Sequence, residues 1–176
     1  MSPLANIERT CQTCHRQSAE TLRQNVYERQ RKCNEIRNRV ENELATAHIE
    51  AKFAWDKGAT EAEMKPVLDL LRKSQWRWDF AVASHGASFH APQEITRILS
   101  HSLDYANQAR LKVAKVLAVH GFTGDVPMPD ISTKGKAQAY IGLDMKQKEG
   151  DKEKFLNTVV PEWIKKAKAA GRAIDL

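Results

Sequence analysis

Two cysteines and a histidine stand together near the start of the chain, in the order Cys11-Gln12-Thr13-Cys14-His15. Cysteines three residues apart on one turn can present both sulfurs to the two vinyl groups of a porphyrin, and the next histidine then reaches the iron. The pattern Cys-x-x-Cys-His is typical of covalent haem c attachment. We predict that Cys11 and Cys14 bind haem c covalently and that His15 is its proximal iron ligand.

A zinc site is the main alternative for the same cysteines, with Cys11 and Cys14 as thiolates and His85 and His90 completing the set. The two halves are far apart in the sequence, and this set leaves His15 without a role. A thioredoxin-like redox pair is disfavoured because no βαβ pattern surrounds the motif. The haem interpretation therefore explains more of the residues.

An iron bound by His15 on one side needs a second ligand or an open face. His90 is the leading candidate, because Phe89 and Pro92 flank it at a helix start, where the backbone fixes its direction and a ring can shield a porphyrin edge. His85 comes next, as a residue that hydrogen-bonds a haem propionate or a backbone carbonyl.

The other candidates are expected to be structural. His48 and His101 lie on predicted helices, and His120 suits a helix C-terminal cap. Cys33 is expected to be a small buried residue, and Trp76 and Trp78 are expected to belong to the core.

Three long helices are predicted to position these residues. The first runs from Ser18 to Lys57, where small or apolar residues recur seven apart, and Gly58 ends it. That stripe consists of Val26, Cys33, Val40, Ala47 and Ala54.

The second long helix is predicted to begin at Thr60, which forms a capping box with Glu63, and to end near Ser84. Pro66 is placed in its first turn. A bend over residues 85–92 precedes the third helix, which Gly121 closes, and a loop covers residues 124–132. Two shorter helices are predicted over residues 133–141 and 152–170, with Pro161 kinking or dividing the latter.

The 176 residues therefore predict an all-α fold of long antiparallel helices in a bundle-like arrangement, followed by a C-terminal loop and short helices. We divide the chain into a haem c attachment segment (1–17), a long-helix region (18–122) and a loop with C-terminal helices (123–176) of the same domain.

Charge and targeting features identify no partner. The 28 Lys and Arg exceed the 22 Asp and Glu by only six, and the basic residues are interleaved with Glu, so we expect no nucleic-acid partner. The sequence holds no apolar run long enough to cross a bilayer, and its start has neither the basic nor the apolar region of a signal peptide. By these features alone the chain would stay in the cytoplasm.

Over nearly the whole chain, a series of motifs resembles the C-terminal third of pentahaem, ammonia-forming cytochrome c nitrite reductase, of the cytochrome c552 family. The matching segments, besides the cysteine motif, are Asn34-Glu35-Ile36-Arg37-Asn38-Arg39-Val40-Glu41, Ala47-His48-Ile49-Glu50-Ala51-Lys52, Gly58-Ala59-Thr60-Glu61-Ala62-Glu63-Met64-Lys65-Pro66, Gln75-Trp76-Arg77-Trp78-Asp79, Ser84-His85-Gly86, His90-Ala91-Pro92 and Pro129-Asp130-Ile131-Ser132-Thr133-Lys134.

This resemblance implies a periplasmic multihaem oxidoreductase that carries five haems and calcium at full length and reduces nitrite to ammonia. Cys11, Cys14 and His15 would belong to the last haem, and His90 would be the distal iron ligand of the preceding one. The catalytic haem and the residues around the nitrite would lie upstream, so the chain would hold no catalytic residue and be inactive alone.

The resemblance also implies partners. The long helices would form a homodimer interface, which fits a stripe that one short domain would struggle to bury alone. A membrane-associated or soluble cytochrome would donate electrons to the full enzyme. The alternative is a non-enzymatic helical interaction module with a Cys/His zinc site or no ligand.

Overall fold

The computed structural model describes residues 2–172, and within this range the fold is all-α, as predicted. A short 3-10 helix, Pro3–Ala5, precedes seven α-helices. These are α1 (Ile7–Thr10), α2 (Ala19–Asp56), α3 (Glu61–Ala83), α4 (Ala87–His90), α5 (Pro92–Val119), α6 (Lys134–Tyr140) and α7 (Met145–Ala169).

Helices α2, α3 and α5 form a bundle in which α5 packs against both of the others. The larger core cluster joins the C-terminal half of α2 to the N-terminal half of α3 and the C-terminal half of α5. Helix α3 therefore runs antiparallel to α2 and α5, which run in the same direction. The fully buried residues of this larger core cluster include Ala47, Met64, Val67 and Ala109.

A second core cluster lies at the other end of the bundle. Its buried residues are Cys33 and Val40 from α2 and Ile95 and Leu99 from α5, and Ala87 of α4 packs against them. The short helix α4 therefore sits on the core rather than in solvent. Helix α2 also contacts both α1 and α4.

The predicted ends of the long helices are confirmed. Ser18 caps α2 by accepting a hydrogen bond from the Thr21 backbone N–H at 3.1 Å, and the capping box of Thr60 and Glu63 opens α3. Gly58, with φ +93°, follows α2 in a left-handed conformation that suits glycine. Pro92 is the first residue of α5.

Two predictions about prolines are wrong. Pro66 is not in the first turn of α3, because the helix begins at Glu61 and continues through it. Helix α7 begins at Met145, earlier than the predicted residue 152, and runs through Pro161 as one helix. Lacking an N–H, each proline removes one main-chain hydrogen bond, a loss that the rest of these long helices tolerates.

Burial also differs from the prediction at two places. Trp76 is 64% exposed and so is not a core residue, whereas the partly buried Trp78 packs against both core clusters. The stripe of α2 is already buried within this chain, with Val40, Ala47 and Ala54 at 0% exposure. Burial of this stripe therefore needs no second copy.

The described chain separates into two compact units, one ending at Val126 and one beginning at Pro127. The second unit contains the loop before α6, then α6 and α7, and none of its described residues is buried. Our boundary between residues 122 and 123, and the assignment of both parts to one domain, remain predictions. No helix within residues 2–172 has the length and apolarity required to cross a membrane.

Candidate haem c site

The cysteine motif lies on a continuation of the turn that α1 begins. The Cys11 backbone N–H donates to the Ile7 carbonyl at 2.9 Å, and the His15 N–H donates to the Cys11 carbonyl at 2.9 Å. Ile7, which is 4% exposed, is the buried residue of this short segment. Cys11, Cys14 and His15 therefore lie on one turn, which the hydrogen bond from the His15 N–H to the Cys11 carbonyl closes.

Both thiols of the motif are free and accessible. Cys11 is partly exposed and Cys14 is exposed, whereas Cys33 is buried. Hydroxyl groups lie beside each sulfur, with Thr10 Oγ1 3.6 Å from Cys11 Sγ and Thr13 Oγ1 3.8 Å from Cys14 Sγ. These two thiols can react with an external group, and the buried position of Cys33 agrees with its predicted structural role.

A cleft of about 250 Å³ joins this motif to the segment that carries His90. Cys11 and His15 line one part of it, and Phe89 and His90 line another. The rest of the lining comes from Gln17, just before α2, and from the N-terminal part of α2, namely Leu22, Asn25, Val26 and Arg29. Helix α2 is thus the element that brings two sequence-distant iron-ligand candidates to one cleft.

His90 is the last residue of α4 and is exposed. Its ring lies against the Phe89 ring, with centroids 4.5 Å apart and an interplanar angle of 50°. Pro92 begins α5 two residues later. His90 therefore lies beside an aromatic ring and two residues before a helix start, and its role as an iron ligand stays a prediction.

Sequence reasoning missed Arg29. Its Nη1 donates to the Phe89 carbonyl oxygen at 2.9 Å, which connects α2 to α4. No sequence signal marks this residue, because an arginine among the charged residues of a long amphipathic helix has the pattern of a solvated face.

The remaining histidines do not line this cleft. His85 lies in the turn before α4 and lines a separate cavity of about 230 Å³ with Cys33 and Ser88. His48 and His101 are exposed on α2 and α5. His120 is the C-cap residue of α5, as predicted, and its Nε2 lies 3.2 Å from Glu63 Oε2.

The pKa of the Glu63 carboxylate, at the start of α3, is lowered by its hydrogen bonds. The carboxylate accepts hydrogen bonds from the Thr60 backbone N–H at 2.8 Å and from the Thr60 hydroxyl at 2.7 Å. These bonds, followed by that to His120, lower its pKa from 4.5 to about 2. The pair fastens the end of α5 to the start of α3, away from the cleft.

The zinc alternative receives no support from this arrangement. Across residues 2–172, no group of three or more His, Cys, Asp or Glu side chains is placed to hold a metal ion. His85 lies in a different cavity from Cys11, so the set with Cys14 and His90 is not assembled.

The residues present do fit a covalently attached haem c. Two free thiols lie one turn apart, an imidazole follows directly, and apolar side chains from Leu22, Val26 and Phe89 line the adjoining cleft. At about 250 Å³ the cleft is smaller than the roughly 300–1,000 Å³ of pockets that enclose small ligands. It can cover only part of so large a group.

An all-α fold that presents Cys-x-x-Cys-His on one turn beside such a cleft defines a haem-bearing c-type cytochrome. The chain belongs to the cytochrome c552 family, whose model matches residues 1–172.

Curated relatives agree with this assignment. The chain is 76% identical over 171 residues to a cytochrome c-552 of Bacteroides thetaiotaomicron, covering 97% of this chain and 35% of that protein. A cytochrome c-552 of Porphyromonas gingivalis is 69% identical over 173 residues, with 98% and 35% covered. The chain therefore spans about a third of the length of these relatives.

Proposed function

We propose that this chain is the haem-bearing electron-transfer portion of an ammonia-forming cytochrome c nitrite reductase. The observation that carries this proposal is the single helical turn that holds Cys11, Cys14 and His15 beside the cleft lined by His90. Cys11 and Cys14 attach haem c, and His15 binds its iron. His90 is the distal ligand of a neighbouring haem.

The chemistry of attachment suits the two accessible thiols. Cys11 and Cys14 would hold haem c through thioether bonds, in which each sulfur would bond to one vinyl carbon and the thiol hydrogen would go to the other. This addition needs no oxidant or reductant. When bound, haem c supplies a reversible one-electron couple whose potential depends on axial ligation and burial. The chain's own residues bind the group and set those two conditions.

The reduction of nitrite to ammonia is proposed for the whole protein. None of the residues described above is assigned a catalytic role. The proposal includes a periplasmic location, five haems and calcium at full length, and a membrane-associated or soluble cytochrome as electron donor. All of these rest on the motif resemblance.

A homodimer is also part of the proposal. Its support now comes from the resemblance and from large apolar side chains exposed on the bundle, such as Trp76 (64% exposed) and Phe80 (46%). The stripe of α2 does not support a dimer, because it is buried within this chain. Size-exclusion chromatography with light scattering distinguishes the two states, and a monomer at high concentration would contradict the dimer.

Haem attachment is tested by producing the chain in a host that carries out c-type cytochrome maturation. We expect Soret and α bands and a mass increase of one haem that survives denaturation. Replacing both motif cysteines, Cys11→Ala with Cys14→Ala, should abolish the covalent haem. Cys33→Ala is the matched control, because it removes a thiol outside the motif and should retain one haem per chain.

The outcome that would overturn the proposal is equally direct. If the host cells mature other c-type cytochromes but this chain carries no covalent haem at Cys11 and Cys14, the assignment is contradicted. The haem-loaded chain should form no ammonia from nitrite with a chemical reductant, and ammonia formation would show that a catalytic centre lies within these residues.

A further inference from the structure

Helix α4, which carries His90, is too short to be stable by itself. Helix α4 has only four residues, Ala87–His90, and isolated helices shorter than roughly 12–15 residues are marginal in water. His90 is exposed at its C-terminal end, where helix carbonyls lack partners within the helix. The direction of the imidazole must therefore be set by contacts with other elements.

Helix α2 supplies those contacts from one of its faces. Arg29 Nη1 donates to the Phe89 carbonyl oxygen at 2.9 Å, and Cys33 Sγ lies 3.7 Å from the Ser88 carbonyl oxygen. Arg29 and Cys33 are four residues apart and so are neighbours on the helix surface. Two successive carbonyls of α4 that would otherwise lack partners therefore face donors from α2.

The Arg29 contact acts on the peptide unit that joins Phe89 to His90. The carbonyl of this planar unit accepts from Arg29, and its N–H, which belongs to His90, donates to the Gly86 carbonyl at 3.2 Å. The unit is thus held at both sides. The orientation of this plane, together with the φ angle of His90, sets where the His90 Cα–Cβ bond points. The contact with the Phe89 ring limits the imidazole further, so the histidine has a restricted direction.

We propose that Arg29 is a positioning residue for His90, which fixes the end of α4 so that the imidazole borders the cleft containing Cys11 and His15. The buried Cys33 assists, because its thiol contacts the neighbouring Ser88 carbonyl of α4. The inference rests on the proposed function, since it assigns the positioned imidazole to an iron. It adds a residue that the attachment motif does not contain.

The test compares Arg29→Gln and Arg29→Lys with the unchanged chain, all prepared without haem. Arg31→Gln is the matched control, because it removes the same charge from the same helix, and Arg31 forms its ion pair with Glu35 of α2 itself, at 2.5 Å. Two NMR readouts are used: the amide hydrogen exchange of residues 86–91 and the contacts between the His90 and Phe89 rings.

In Arg29→Gln we expect at least about threefold faster exchange at the His90 amide and loss of the fixed ring contact, since a charge-assisted hydrogen bond is removed. Arg29→Lys, which keeps a charged donor, should recover part of both signals. Arg31→Gln should change neither. Exchange elsewhere in the bundle should stay as it is, which separates positioning from a general loss of stability.

Unchanged His90 exchange and ring contacts in Arg29→Gln would overturn the inference, and so would equal changes in Arg31→Gln. Haem attachment at Cys11 and Cys14 is scored separately, by mass. The failure of positioning and the failure of the proposed haem function therefore give different results.

Discussion

Truncation of Leu99 should destabilise the bundle core and also loosen the segment that carries His90. Leu99 is 1% exposed and belongs to the cluster of Cys33, Val40 and Ile95, against which Ala87 of α4 packs. Leu99→Ala removes three buried carbon atoms and leaves a cavity. Measured costs for such truncations are roughly 3–5 kcal/mol, and we expect about 3 kcal/mol here.

Urea denaturation followed by circular dichroism measures this loss. With a slope of roughly 2 kcal/mol per M, the midpoint should fall by about 1.5 M, and the slope should not change. Leu111→Ala is the matched control on the same helix, because Leu111 is 66% exposed, and its effect should stay within about 0.5 kcal/mol.

The same variant should loosen α4, because the cavity opens in the cluster against which Ala87 packs. We expect faster amide exchange over residues 87–90 in Leu99→Ala than in Leu111→Ala. A destabilisation below about 1.5 kcal/mol, or one equal to that of Leu111→Ala, would refute the assignment of Leu99 to a close-packed core beneath the His90 segment.

The remaining predictions concern polar contacts within and between the long helices. Thr60→Ala should cost about 1 kcal/mol in urea denaturation, because it removes the α3 cap, and a neutral result would contradict the capping box. Hydrogen bonds from Thr60 and His120 lower the folded-state pKa of Glu63 from 4.5 to about 2. The Glu63 carboxylate therefore contributes to stability above pH 4.5, and this contribution is lost as the pH falls towards about 2. In Glu63→Gln the free energy of unfolding should fall less steeply over this pH interval, and a fall as steep as in the unchanged chain would contradict the role of Glu63. Arg110→Lys should cost about 1 kcal/mol, measured by thermal denaturation, because lysine cannot reproduce the two-nitrogen contact with Glu50 at 2.8 and 3.0 Å; a thermal midpoint equal to that of the unchanged chain would count against this.

Local sequence signals predicted most of the secondary structure. Ser18, the Thr60 capping box, Gly58 and Pro92 mark helix ends through bonds and backbone angles that involve only a few neighbouring residues. The same is true of the cysteine motif, whose spacing on one turn depends on helix geometry alone. Such features can be read from the chain because their partners are near in sequence.

The prolines show where local rules were insufficient. Pro66 and Pro161 each lie inside a continuous helix, although the second was expected to kink or divide its segment. One lost main-chain hydrogen bond is a small fraction of the hydrogen bonds that stabilise helices of 23 and 25 residues. The length of the helix, rather than the residue itself, decided the outcome.

The sequence alone placed Cys11, Cys14 and His15 in one Cys-x-x-Cys-His motif and His90 close to a helix start at Pro92. Only the tertiary structure decided that α2 joins them at one cleft, that Arg29 holds the Phe89 carbonyl, and that Trp76 is exposed. Periodicity shows which side of a helix is apolar, but not which partner covers it. The contact of Arg29 with Phe89 links residues 60 positions apart, so the packing of distant elements, and not a local signal, selects it.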